Sequence, residues 1–461
     1  MLVNDEYYFA YFDKQKNTLE RVRRNNIYSK SRCAANLRGV GPVYEGYVVS
    51  IFDARILVSS DKKIQNNITA TLEKKAGHTL NLRNLKKNEQ YILINDRPEK
   101  AGDNGEALFN YIMENESEEI KKNTFFVINK NCDDFRRMKY KSNIIDFQSQ
   151  EHLDKFLNAK IIYSSHNAVR FIYPFDVSKY YCYADLLKYK FVWLQHGVTK
   201  DDISNEANKL NTLDDAVITS SKWEYEEFMR DEYLYDKEDV ILSGFARFDN
   251  LLDRKEKKII VAPTWRTELV GRILNTGHNA PKEGFELSDF YKNFAQFLKD
   301  PRLHDLLESN GYCLKFVLHS GFTCYEHLFK SIIEGINDTN IEFVNMNVFS
   351  YHDAFCTSSL FITDYSSTAF DFAYLKKPVI YFQFDEDTFF EKHYHKSDWE
   401  YRENGFGPVV KTVDELLDEI EKCLNKKCEL DKVYLDRINE AFAYFDQNNC
   451  KRIMDATRKW L

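Results

Sequence analysis

The chain has 461 residues, a prior of about three domains and length enough for more than one buried core. Hydrophobic residues make up 43% and charged residues 30%, and the mean hydropathy of −0.54 excludes a mostly membrane-embedded protein. A net charge of −8 withholds the basic surplus expected of a nucleic-acid binder, so no nucleic-acid partner is expected.

In chain order, the opening MLVNDEYYFAYFDKQ carries acidic residues where a secretory leader needs a basic region and an apolar run. Nine scattered cysteines, with Cys423 and Cys428 the closest pair and no CxxC, suit a reducing compartment better than a disulfide framework or a zinc site. A cytoplasmic protein is expected. No apolar run approaches the ~18 to 20 residues that span a bilayer, so any membrane contact is expected to be peripheral.

Residues 1–85 hold short β-like runs, YYFAYF, YVVSIFDARILV and NITATLE, and predict a small β-rich accessory module. From Tyr91 the texture changes to strand, polar loop, helix: YILIN, then DRPEKAGDNGE, then ALFNYIMEN. The unit recurs at TFFVIN (124–129), AKIIYSSH (159–166), FVWLQHG (191–197) and DAVITSS (215–221). A second series follows SGFARFDNLLDRKEKK: KKIIVAPTWR (257–266), YCLKFVLHSG (312–321), IEFVNM (341–346), SLFITDYSS (359–367) and KPVIYFQFD (377–385). Repeated units of this kind predict two α/β halves with parallel sheets, 86–245 and 246–461, the second ending in helices.

In open α/β sheets ligands bind outside the carboxyl ends of the strands, which makes the polar residues closing these runs the functional candidates. Asp364, Ser366 and Ser367 close one run before the helical TAFDFAYL, where free N–H groups and hydroxyls suit a phosphate; simple capping by serine is the competing reading. His196 follows a strand directly, with Gly197 beside it to allow close approach, and can take a proton near neutral pH. His319 closes a strand of the second half in the same way. Thr264 and Arg266 end another, offering a hydroxyl and a guanidinium suited to phosphate, against the alternative of a surface arginine beside a core tryptophan. Arg97, Asp103 and Asn104 lie in a loop before a helix, where simple capping by Asp103 or Asn104 competes with contact to a ligand. Arg247 and Asp249 in GFARFD also suit an internal ion pair.

Weaker signals are the DxD of Asp385 and Asp387, a slender case for a divalent metal, the basic FRRMKYK (135–141), and HYH (393–395). No P-loop, GxGxxG after a strand, or GxSxG elbow is present.

Taken together, LINDRPEKAGDNGEALFNYI, IIYSSHN, WLQHGVTKDD, VITSS, GFARFD, VAPTWR, FVLHSG, FITDYSSTAFDFAYLKKPVIYF, GFGPVV and NNCKRI resemble, in order and spacing, the CDP-glycerol glycerophosphotransferase family of teichoic-acid and capsule enzymes, over roughly residues 90–455. The resemblance implies a GT-B-like architecture, two Rossmann-like domains facing a central cleft. It implies transfer of glycerol phosphate or ribitol phosphate from CDP-glycerol or CDP-ribitol to a hydroxyl of a lipid-linked glycan or polyol-phosphate acceptor, with release of CMP, at the inner membrane face. By the same resemblance His196 is the base, His319 sits against the donor phosphates, and Asp364, Ser366 and Ser367 help bind the donor; Arg266 is added on chemical grounds, and no cofactor is required. Lys200 stands near the position where the family has lysine after the HG motif, with Val198 and Thr199 departing from its usual Thr-Pro. A sugar-nucleotide transferase of the same fold and a non-catalytic assembly subunit are the competing functions.

Overall fold

A computed structural model describes the backbone of seven short strands between residues 2 and 59, and residues 90–175, 189–209, 212, 214–273, 279–336, 338–345, 349–392 and 398–461. The early strands are β1 (Leu2–Val3), β2 (Glu6–Tyr7), β3 (Phe9–Asp13), β4 (Thr18–Val22), β5 (Gly39–Tyr44), β6 (Tyr47–Phe52) and β7 (Arg55–Ser59), paired antiparallel as β1–β2, β3–β4 and β5–β6–β7. The NITATLE and HYH runs lie outside the described residues.

Beyond residue 90 the apolar runs become strands of two parallel sheets. The first contains β8 (Tyr91–Asn95), β9 (Thr124–Ile128), β10 (Ile144–Asp146), β11 (Ala159–Ser164), β12 (Lys190–Trp193), β13 (Ala216–Thr219) and β14 (Val240–Leu242), in the order β10-β9-β8-β11-β12-β13-β14. After a two-stranded antiparallel ribbon, β16 (Val270–Ile273) and β17 (Asn279–Pro281), is set aside, the second contains β15 (Lys258–Val261), β18 (Cys313–Val317), β19 (Ile341–Val344), β20 (Leu360–Thr363), β21 (Val379–Phe382) and β22 (Val409–Val410), in the order β19-β18-β15-β20-β21-β22. Central strands such as β13 and β20 are buried along their whole length, which is why they read as continuous apolar runs rather than alternating ones.

Both sheets start in the middle, build outward on one side, and return to the other side of their first strand. The order therefore reverses between β8 and β11 in one sheet and between β15 and β20 in the other. Connections leaving adjacent strands in opposite directions open a crevice at the carboxyl end, and that is where such sheets bind ligands. The sequence candidates fall there: Arg97 after β8, Thr264 and Arg266 after β15, and Asp364, Ser366 and Ser367 after β20.

Four helices position these loops: α1 (Asn104–Asn115), α2 (Lys222–Phe228), α3 (Thr368–Tyr374) and α4 (Asn449–Thr457). The final helix α4 packs on the first half. Asp249 accepts from the N–H groups of Asn449 and Cys450 at 2.9 and 2.8 Å, the Tyr163 and Thr457 hydroxyls meet at 2.6 Å, and Arg452 donates to the Ser243 carbonyl at 2.9 Å. Gly244, at φ +82°, is required here, because a Cβ would fall 2.2 Å from the Asn449 side-chain oxygen.

Candidate functional site

Three adjacent strands of the first sheet build one edge of the site. Asn95, Ser164 and Trp193 stand in one registered row across β8, β11 and β12, and the chain continues to Arg97, His166 and His196 just past it. The His166 and His196 rings stack with centroids 4.4 Å apart and planes 21° from parallel. Arg97 Nε donates to His166 Nε2 at 2.9 Å. The His196 ring reaches solvent yet is hemmed in by protein; that enclosure first, then the charges of Arg97 and Arg247, lower its pKa to about 4. Burial, then the charges of His196, Arg97 and Arg170, lower that of His166 to about 2. Both rings are neutral at physiological pH, the state a general base needs.

The edge is anchored from below. Asp96, buried, accepts from the N–H groups of Asp103, Gly105 and Glu106 at 3.1, 2.7 and 3.2 Å and from the Ser165 hydroxyl, so it fills the N-terminus of α1. Burial, then the Asp103 charge, raise its pKa to about 7. Asp103 is the N-cap of α1, and Asn104 is a bracket: its amide donates to the carbonyls of Leu194 and Gln195 at 3.2 and 2.7 Å, and its oxygen accepts from Arg247 N at 3.0 Å. The capping reading thus holds for Asp103, while Asn104 ties α1 to the strand end that carries His196.

Gln195, immediately before His196, has φ +59°, an unusual conformation for a residue with a side chain. It is held there by bonds from its amide to Ile218 O (2.7 Å) and Glu224 (3.0 Å), and from the Thr199 hydroxyl to its oxygen (2.8 Å). Glu224 on α2 also accepts from Thr199 N and Ser220 N at 2.8 and 2.6 Å. Burial raises its pKa to about 7 against these bonds. Lys200 is buried, paired with Asp201, and lies 5.3 Å from the centre of the Tyr401 ring. It is a packing cation between the halves rather than a group presented to an acceptor.

The second edge differs from the sequence reading. Arg266 is 1% exposed, its Nε and Nη2 bonded to Asp385 at 2.7 and 3.1 Å, Nη2 also 2.9 Å from Asp364, and Nη1 bonded to Thr264 O at 2.6 Å. The rings of Phe389 and Tyr365 lie 4.6 and 5.1 Å from it. With its donors turned inward to carboxylates, Arg266 is a buried strut and not a phosphate ligand. Asp364 is corrected with it: fully buried, it accepts from Thr264 N and Tyr365 N at 2.8 and 2.6 Å and fixes the turn instead of facing a donor. Asp385 is engaged by Arg266 and the Tyr365 hydroxyl, and Asp387 is exposed on the next helix, so the DxD pair does not converge on a metal. Arg247 realises the ion-pair reading, bidentate to Asp371 on α3 at 2.6 and 3.0 Å and bonded to Asp103 at 2.8 Å, which links the two halves.

Ser366 and Ser367 are partly exposed at this edge, whereas the Thr264 hydroxyl, which the sequence offered to a phosphate, is shut inside without a hydrogen-bond partner among the described residues. The Ser366 hydroxyl meets that of Thr368 at 2.8 Å, whereas Ser367, at the N-cap position of α3, makes no side-chain capping bond. A Cβ on Gly197 would lie 2.9 Å from the Ser367 hydroxyl, so the two edges touch at these residues and glycine is what lets them. His319 Nδ1 accepts from Gly321 N at 3.0 Å, which leaves the proton of the neutral ring on Nε2, and the ring lies parallel to Trp265 (7°, centroids 6.0 Å). His166, Asp96, Glu224 and Asp371 were not singled out from the sequence. Of these only His166 had a legible signal, as the closing residue of AKIIYSSH.

Residues 77–459 match the family model described as CDP-glycerol:poly(glycerophosphate) glycerophosphotransferase. The chain belongs to this family. It is 33% identical over 366 residues to the minor teichoic acid biosynthesis protein GgaB of Bacillus subtilis, covering 79% of this chain but 39% of that relative. It is 24% identical to a teichoic acid poly(glycerol phosphate) polymerase of Bacillus spizizenii, covering 74% of this chain and 86% of that one. Two solved structures of the wall teichoic acid polymerase TagF superpose with TM-scores of 0.57 and 0.54 at 16% and 17% identity, each alignment covering 86% of this chain and 95% of the other. The family member described here thus has the GT-B-like fold, with two parallel α/β sheets.

Proposed function

We propose that the chain transfers glycerol phosphate or ribitol phosphate from a CDP-activated donor to the hydroxyl of a lipid-linked or polyol-phosphate acceptor, releasing CMP. The observation that carries this reading is His196, a neutral and accessible histidine at the sheet edge, with Arg97 on one side and the Ser367 turn on the other. In the proposed step a ring nitrogen of His196 takes the acceptor hydroxyl proton and the oxygen attacks the β-phosphorus. The bond from that phosphorus to the bridging oxygen breaks, and CMP leaves with the electron pair. Phosphoryl transfer depends on positioning and charge stabilisation, which in this reading the Ser366 and Ser367 hydroxyls, His319 and Arg97 would supply.

The reading needs no cofactor, so transfer in the presence of EDTA is the expected result. Family membership and the relatives' names support the donor class. Among the described residues no helix is long and apolar enough to cross a membrane, and contact with a lipid-anchored acceptor at the inner membrane face is proposed as peripheral. The test is nucleotide release on incubation with CDP-glycerol, CDP-ribitol and a set of sugar nucleotides, each with a synthetic lipid-linked polyol-phosphate acceptor. Acceptor-dependent CMP from one CDP-polyol is expected. A nucleoside diphosphate from a sugar donor would replace this reaction with glycosyl transfer, and silence across the set would favour an assembly subunit.

A further inference from the structure

We infer that Arg97 and His166 form an oxyanion-binding arm, in which Arg97 touches a phosphate oxygen of the substrate and His166 is the positioning residue that aims it. The identity of that phosphate rests on the transferase reading above; the arm itself rests on geometry.

Arg97 is an exposed cation of this edge, as are Lys100 and Arg170, and its base is rigid: Arg97 and Lys100 exchange backbone bonds at 3.1 and 3.4 Å, and the carbonyl of the intervening Pro98 accepts from Asn129 N at 2.7 Å. Its Nε is spent on His166 Nε2, and among the described residues its two terminal nitrogens make no hydrogen bond and no ion pair within 4 Å, although Asp103 feels its charge from farther off. The nearby carboxylates are committed elsewhere, Asp103 to Arg247 and to the cap of α1, and Asp96 to the first N–H groups of α1. A guanidinium held at one nitrogen and open at the two others presents a fork, the geometry that recognises a phosphate by paired bonds.

His166 can fix that fork because it is itself fixed. Its ring is sandwiched by contact with His196 (4.4 Å, stacked) and with the edge of Phe171 (5.2 Å, 69°), and its backbone N–H is bonded to the Ser164 hydroxyl at 3.2 Å. A protonated ring could not accept from Arg97; the neutral ring can, and its surroundings keep it neutral. The same ring therefore orders the fork and the base side by side, so a phosphate on Arg97 is placed next to the atom that takes a proton. The phosphate has two sources in the proposed reaction: the donor diphosphate, or the phosphodiester that precedes the acceptor hydroxyl.

The test is binding, read by calorimetry on the full chain, of two probes: CDP-glycerol, and glycerophosphoglycerol as a phosphodiester bearing a free hydroxyl. Arg97→Gln is expected to weaken at least one probe by ~10-fold or more, the scale of a lost charge-assisted bond. Loss confined to CDP-glycerol assigns the donor, and loss confined to the phosphodiester assigns the acceptor. His166→Ala is expected to weaken the same probe several-fold. His166→Gln, whose side-chain oxygen reaches the place of Nε2, is expected to restore it, while His166→Asn is not, a pattern that loss of packing alone would not give. Unchanged affinity of Arg97→Gln for both probes overturns the arm, and an unaffected His166→Ala overturns the positioning role. Arg97-dependent binding without CMP release would leave the arm standing and remove the transferase reading; CMP release with no Arg97 dependence would do the reverse.

Discussion

Arg97 and Arg266 each follow the first strand of a parallel sheet, at equivalent switch points, and their fates are opposite. Arg97 is exposed, held by one neutral acceptor and otherwise open; Arg266 is enclosed by aromatic rings and its charge is met by Asp364 and Asp385. The first edge therefore leaves polar groups exposed, whereas the second uses the same residue types to hold its own loops. The lesson is that a strand-end arginine is left open or becomes a strut according to whether carboxylates reach it first.

The sharpest way to break this comparison is stability. Arg266→Leu should cost about 3–5 kcal/mol, because it leaves buried carboxylates without a cation, while Arg97→Leu should stay within about 0.5 kcal/mol of the parent. Urea unfolding of both variants checks it, and equal losses would erase the distinction. On the activity side, His196→Ala should lower transfer by at least ~10²-fold with CDP-glycerol binding retained, as for loss of a general base. Unchanged transfer would take His196 out of the mechanism.

A smaller effect is expected from the loop that carries His196. Glu224→Gln turns an amide toward a donor that now meets a carboxylate, at a cost of about 1–3 kcal/mol, and should reduce kcat more than donor affinity. Gly197→Ala should lower the melting temperature through the contact with Ser367, and adding Ser367→Ala should recover it, since the remaining Cβ is 3.9 Å away. Failure of the second change to recover stability would show that the two edges do not meet as described.

The finest comparison is with pH. With its pKa lowered to about 4, His196 stays unprotonated well below pH 6, so the acid limb of kcat/KM should fall near 4 and not near the ordinary histidine value of 6.5. His152, buried and lowered to about 3, and His166, lowered to about 2, are likewise neutral when folded. Unfolded histidines bind protons more readily than these do. Stability from all three should therefore be full above about pH 6.5 and decline as pH falls toward their folded values, which melting temperatures between pH 7 and 4 will show.

The fold and the placing of His196 were legible because they depend on local signals: apolar runs of strand length closed by polar residues, repeated often enough to require parallel sheets, and a histidine separated from a strand end by two residues. The ordered motifs added the family. The cap at Asp103 and the ion-pair reading of Arg247 were also available from spacing and charge. What the sequence could not determine was which polar residues would face outward. Asp385 reaches Arg266 across 119 positions, Asp371 reaches Arg247 across 124, and α4 returns to Asp249 across 200. His166 meets His196 only because β11 and β12 are neighbours in register. Sequence determined the elements, since their causes lie within a few residues; tertiary structure alone decided the roles of the charges, because a charge is neutralised by whatever packing brings beside it.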